Sequence, residues 1–84
     1  MYPSVKTVKP HDNYILAISF DNGESGILDM KPFLDFGVFR RISDPDIFKT
    51  ARVSFDTIEW SCGVDLDPEF VYSKYCKKAG FEIG

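Results

Sequence analysis

Apolar and polar positions alternate through the first third of the chain, and that alternation predicts extended elements. Val5, Thr7 and Lys9 alternate with Lys6 and Val8 until Pro10 ends the run, the pattern of an edge strand with one thin apolar side. His11-Asp12-Asn13 supplies turn residues. Tyr14–Phe20 and Ser25–Met30 then flank Asp21-Asn22-Gly23-Glu24. Asn-Gly between apolar segments is the strongest short hairpin cue, because a type I′ turn needs positive φ at both central residues. With Asn22-Gly23 as those centres, Ile18 faces Ile27, Ala17 faces Leu28 and Leu16 faces Asp29. Both faces of the ribbon are then largely apolar near its middle, so it belongs inside a sheet or under a helix.

Beyond Met30 the period lengthens. Lys31-Pro32-Phe33-Leu34 reads as one helical turn with proline near its start, and Val38–Ile42 fits either a short strand or a helical connector. Two pentads share one order: Asp44-Pro45-Asp46-Ile47-Phe48 and Asp67-Pro68-Glu69-Phe70-Val71. Each places an N-cap side chain before a proline at the first helical position, then an acid in the positive first turn. The first helix is brief, because Arg52–Phe55 reads as extended; Asp56-Thr57 then turns the chain into Ile58-Glu59-Trp60, a second hairpin. The second helix is predicted from Pro68 to about Lys78, with Val71, Tyr72, Tyr75, Cys76 and Ala79 on one stripe and Gly80 as its stop. Phe81-Glu82-Ile83 reads as a last extended piece. The expected fold is α+β in a single domain spanning residues 1–84. It is a small, mainly antiparallel sheet, built from an N-terminal strand and two hairpins, packed with a C-terminal helix and short helical turns.

Length and composition narrow the function. A chain of 84 residues buries only about 60–65% of its unfolded surface. Eight Phe, four Tyr and one Trp compensate by the area each ring covers. Through Ile42 basic and acidic residues balance at five each, whereas Ser43 to the end carries five basic against eight acidic. Such a chain repels phosphate backbones unless its cations cluster. Lys74, Lys77 and Lys78 do cluster, at a helix end where the macrodipole alone favours positive charge. The sequence has neither a secretory leader nor an apolar run of membrane-spanning length. Two cysteines, Cys62 and Cys76, outside any CxxC pattern point to a cytoplasmic protein with reduced thiols. A bridge between the two remains sterically open.

Candidate chemistry is sparse. Asp65, Asp67 and Glu69 alternate in a way that suits a hard cation, yet Asp67 and Glu69 already serve the helix start and only Asp65 is unassigned. His11 is the sole histidine, and no nucleophile elbow, HExxH or phosphate-binding glycine loop accompanies it. Trp60 reads chiefly as a ring closing the sheet onto the helix, and otherwise as a pocket or interface anchor.

The order of short motifs resembles a known family. It runs Tyr14-x-Leu16-x-Ile18-x-Phe20-Asp21-Asn22-Gly23-Glu24, Leu28-Asp29-Met30 leading to Pro32-Phe33, then Phe39, Asp44-Pro45 and Phe48. Trp60 and Gly63-x-Asp65-Leu66-x-Pro68-Glu69-x-x-Tyr72 complete it. This order is similar to that of the bacterial domain of unknown function 2442, over roughly Val5 to Tyr72. The resemblance implies a small α+β domain of bacteria and phages without an assigned catalytic activity. Some members carry a helix-turn-helix appendage, and many look like neighbours of toxin–antitoxin-type partner genes. The sequence closes at Gly84 without such an appendage, so the expectation is a role through a protein partner, either a toxin-like neighbour or a second copy of the chain.

The expected function is therefore a non-enzymatic interaction module, antitoxin-like or a regulatory accessory, with no catalytic residues and no cofactor. Its candidate partner-binding residues are the strand positions Val5, Thr7 and Lys9, together with Trp60 and Asp65. The alternatives are a minimal metal binder or enzyme centred on Asp65, and a weak nucleic-acid binder through Lys74, Lys77 and Lys78.

Overall fold

A computed structural model describes residues 2–77 of the chain. Strands β1 (Val5–His11), β2 (Ile15–Phe20) and β3 (Ser25–Asp29) come first, then helix α1 (Pro45–Phe48), strands β4 (Arg52–Ser54) and β5 (Thr57–Glu59), helix α2 (Pro68–Lys74) and strand β6 (Cys76–Lys77). Short 3-10 turns occupy Asp12–Tyr14, Lys31–Phe33 and Gly37–Ser43, the last resolving the ambiguous Val38–Ile42 segment as helical. The fold is α+β, as expected, but the second hairpin does not join the first. Strands β1, β2, β3 and β6 form one antiparallel sheet in the order β1-β2-β3-β6, and β4 with β5 forms a separate pair.

The first hairpin corrects the expected register by one residue. Ile18 pairs with Gly26, Ala17 with Ile27 and Leu16 with Leu28. The loop has three residues rather than two: Gly23 N–H donates to the Phe20 carbonyl at 3.1 Å, and Phe20 N–H donates to the Glu24 carbonyl at 2.8 Å. Gly23 takes φ +91, the left-handed position that closes a three-residue loop as a bulge. Burial decides between the registers. Leu16, Ile18, Phe20, Leu28 and Met30 are all buried on one face, while Ile15 and Asp29 pair on the other. The two-residue turn would have set Asp29 opposite Leu16, and a slip of one residue reverses the face of every side chain.

Strand β1 carries an irregularity between Val5 and Thr7, where its pairing with β2 shifts. The extra residue, Lys6, lets Val5 and Val8 both face the core although they are three apart.

The second hairpin holds the type I′ signature that the first lacks. Arg52, Val53 and Ser54 pair with Glu59, Ile58 and Thr57, leaving only Phe55-Asp56 for the turn, at φ 49 and φ 70. The turn therefore centres one residue earlier than the expected Asp56-Thr57. After β5, Trp60-Ser61-Cys62-Gly63-Val64 repeats the first hairpin's loop: Trp60 N–H donates to the Val64 carbonyl at 2.8 Å, Gly63 N–H to the Trp60 carbonyl at 2.9 Å, and Gly63 has φ +92. An aromatic residue, two residues and a glycine are thus one solution used twice. The Trp60 ring is fully buried beside Phe48, and its Nε1–H donates to the Phe48 carbonyl at 3.1 Å. Ser61 N–H donates to Thr50 Oγ1 at 3.0 Å, so α1 and the second hairpin meet along a short polar seam beside the rings.

Both Asp-Pro helix starts hold. Asp44 accepts from Asp46 N–H at 2.9 Å and Asp67 from Glu69 N–H at 2.8 Å. Helix α2 ends at Lys74 rather than near Lys78, because the Tyr75 backbone turns extended at ψ 152. Tertiary contacts override the helical stripe. The Tyr75 ring packs 4.7 Å from Phe20, its hydroxyl donates to Glu24 Oε1 at 3.0 Å, and Cys76–Lys77 pairs with Ile27 and Gly26. The expected stripe position Ala79, the stop at Gly80 and the extended piece Phe81–Ile83 lie outside the described residues. No helix among the described residues is long and apolar enough to cross a membrane.

Tyr75 also links stability to pH. Burial, and then the hydrogen bond to Glu24, push its phenol from 10.0 up to about 12. The neutral phenol is the form that folding favours, so its contribution is complete below pH 10 and is lost as pH rises to about 12. Thermal melts across that window are expected to show a falling midpoint whose slope Tyr75→Phe flattens. An unchanged slope in the variant would contradict this role.

Candidate interaction surface

The residues expected to bind a partner are dispersed by the fold. Val5 is 4% exposed and Trp60 0%, so neither offers a side chain to a partner; each has been drawn into the core because a small domain needs its apolar area. Thr7 and Lys9 are exposed on the outer face of the sheet. There they border a shallow depression of about 260 Å³ floored by Ala17, Gly26 and Ile27, and Thr7 shares a hydroxyl hydrogen bond with Ser19. The backbone edge of β1 offers little to an added strand. Phe20, Ile18 and Leu16 direct their amides toward β3, so their neighbours Val8 and Pro10 direct theirs off the open side. Pro10 has no N–H to give, and the Val5 N–H already donates to the Asp56 carbonyl at 3.0 Å.

Asp65 is exposed and sits in an isolated antiparallel bridge opposite Glu59. Like charges facing each other are unfavourable, and Arg52 offsets this by approaching Glu59 at 3.7 Å across the hairpin. Asp67 and Glu69 are engaged at the α2 start. Among the described residues no three His, Cys, Asp or Glu side chains converge in a metal-holding group. Lys74 is exposed, while the side chains of Lys77 and Lys78 lie outside the described residues. Cys62 is a free thiol, half-buried against the core.

His11 borders a cleft of about 280 Å³ with Asp12, Asn13, Tyr14, Pro45, Phe48 and Lys49. Asn13 and Tyr14 both have positive φ, 66 and 61. Packing accounts for this strain: Tyr14 stacks edge-on against Phe48 at 5.2 Å and donates to the Ser43 carbonyl, and Lys31 Nζ holds the Asn13 carbonyl at 3.1 Å. His11 itself is exposed and hydrogen-bonded to no carboxylate among the described residues.

The unexplained feature is the tip of the second hairpin. Phe55 is 96% exposed and has φ 49. A bulky side chain in the left-handed region costs about 1–2 kcal/mol, and a ring in solvent recovers none of it by packing. Val53, on the same hairpin, is also exposed. Beside the tip, Tyr2, Pro3, Ser4, Asp56 and Pro68 line a groove of about 260 Å³. Ser4 and Asp21 close one wall by exchanging hydrogen bonds, Ser4 N–H to Asp21 Oδ1 at 3.2 Å and Asp21 N–H to the Ser4 carbonyl at 2.9 Å. The Tyr2 phenol lies above its ordinary value, raised first by the charge of Glu69, then by loss of solvent, by its hydrogen bond to Glu69 and by Asp67.

Sequence reasoning missed Phe55, although a signal existed. Opposite charges at Arg52 and Glu59, apolar Val53 and Ile58, and hydroxyls at Ser54 and Thr57 are symmetric about Phe55-Asp56.

The family described as protein of unknown function (DUF2442) matches residues 5–75. No curated protein and no solved structure matches the chain.

The strain at the tip is measurable. Phe55→Asn places a residue that tolerates positive φ at the first turn position, and is expected to stabilise the domain by about 1 kcal/mol. That corresponds to a melting midpoint about 4–8 °C higher. A lower midpoint would show that the exposed ring contributes to folding.

Proposed function

We propose that this chain, which belongs to the DUF2442 family of proteins of unknown function, is a non-enzymatic protein-interaction module that docks through the tip of its β4–β5 hairpin. The observation that carries this reading is Phe55, an almost wholly exposed aromatic held on strained backbone. Folding gains nothing from a side chain placed this way, whereas aromatic anchors dominate the energetics of protein interfaces. The hairpin is held from below by the buried Trp60 and from the side by the Val5–Asp56 hydrogen bond. A tip supported like this loses little conformational freedom when it docks. An antitoxin-like or regulatory accessory role in a bacterial cytoplasm fits such a module, and the free thiol of Cys62 suits a reducing compartment.

Co-expression with the product of the adjacent gene, followed by size-exclusion chromatography, tests the reading. The native chain is expected to co-elute with that product. Phe55→Asn should weaken the complex at least about tenfold, the loss typical of a buried aromatic anchor, while remaining folded by circular dichroism. Co-elution unaffected by the substitution, or no complex with the native chain, would contradict it.

A further inference from the structure

The surface around Phe55 also indicates what kind of partner it fits. The segment from Tyr2 to Val5 meets acidic residues brought in from three parts of the chain. The Asp21 carboxylate accepts from Ser4 N–H, Asp56 lines the groove, and Glu69 and Asp67 lie close enough to the Tyr2 phenol to raise it. Among the described residues Lys6 is the cation that follows this segment, and the Arg52 guanidinium approaches Glu59 instead. The groove itself, about 260 Å³, is lined by Asp56 and by Tyr2, whose half-exposed ring lies 6.2 Å from that of Tyr72. An aromatic face beside carboxylates is the arrangement that holds a guanidinium or ammonium, by attraction to the ring and by charge-assisted hydrogen bonds.

We infer that the docked partner presents a basic, apolar-backed surface: one of its arginine or lysine side chains enters the groove between Tyr2 and Asp56 while Phe55 packs on its apolar part. This inference rests on the hairpin-tip reading and adds the partner's chemistry to it. Carboxylates facing the groove steer a basic segment in and repel an acidic one, and Phe55 supplies the contact that salt does not screen. The Tyr2 phenol is raised chiefly by Glu69, which places that carboxylate beside the same groove.

The test uses three synthetic peptides of equal length, in which leucine alternates with arginine, with glutamine or with glutamate. Amide resonances of Ser4, Phe55 and Asp56 in the isotope-labelled chain report occupancy of the groove and tip. The arginine peptide is expected to shift all three. Its affinity should fall about fivefold in the double variant Asp56→Asn/Glu69→Gln, the scale of an exposed charge pair, and should fall again as salt is raised. Comparable affinity for the glutamine peptide, with no salt dependence, would overturn the basic-partner inference and leave the hairpin-tip reading intact. If no peptide moved Phe55, or if the shifts lay away from the tip, both would fall.

Discussion

The burial of Trp60 is the constraint on which the arrangement depends. Its ring sits beside Phe48 with its Nε1–H on the Phe48 carbonyl, and its own backbone closes the Trp60–Val64 loop. One residue thereby joins α1, the second hairpin and the turn that leads to α2. Truncating a buried tryptophan costs about 3–5 kcal/mol, a large share of the roughly 5–10 kcal/mol available to a domain of this size. Tryptophan suits the position because its buried N–H finds a partner in the Phe48 carbonyl, which also accepts from Ala51 N–H at 3.3 Å. Trp60, read in the sequence chiefly as a ring closing the sheet and otherwise as an interface anchor, is thus a core residue.

A consequence follows at the opposite end of the same hairpin. With its base fixed by Trp60 and its side by the Val5–Asp56 bond, the two-residue turn has no freedom to relax into a longer loop. Phe55 therefore sits in the left-handed region with its ring in water. Asp56 beside it, and the nearby acids of the groove, are exposed to solvent, where like charges repel weakly. Aromatic rings bind the rest of the molecule together. Phe70 meets Phe33 and Phe39 on one side of α2, while Tyr72 and Tyr75 meet Phe20 on the other. This division lets a seven-residue helix bridge two parts of the chain.

What the sequence discloses depends on the range of the interaction involved. The Asp44-Pro45 and Asp67-Pro68 helix starts are legible because a cap is satisfied within three residues. The positions of both hairpins are legible from composition. The register of the first is not, because Asn22-Gly23 fits a two-residue turn as well as a three-residue loop, and only burial of Leu16 against Leu28 decides. The end of α2 is hidden for the same reason: Tyr75 fits the helical stripe locally, but its contacts with Phe20 and Glu24 are more than fifty residues away in sequence. At the surface, Thr7, Lys9 and Asp65 are exposed as a sequence reading suggests, yet Phe55 escaped notice because an aromatic residue predicts burial by default.

Amide hydrogen exchange at Val5 tests most directly whether the hairpin tip is held in place. Its N–H donates to the Asp56 carbonyl and so ties β1 to the Phe55-Asp56 turn, and it points away from β2. A tip pinned by the core predicts protection at Val5 close to that of Leu16 or Leu28 in the centre of the sheet. Exchange at the rate of an unstructured peptide would contradict the account, because the turn would then be free to relax and Phe55 would be neither strained nor presented.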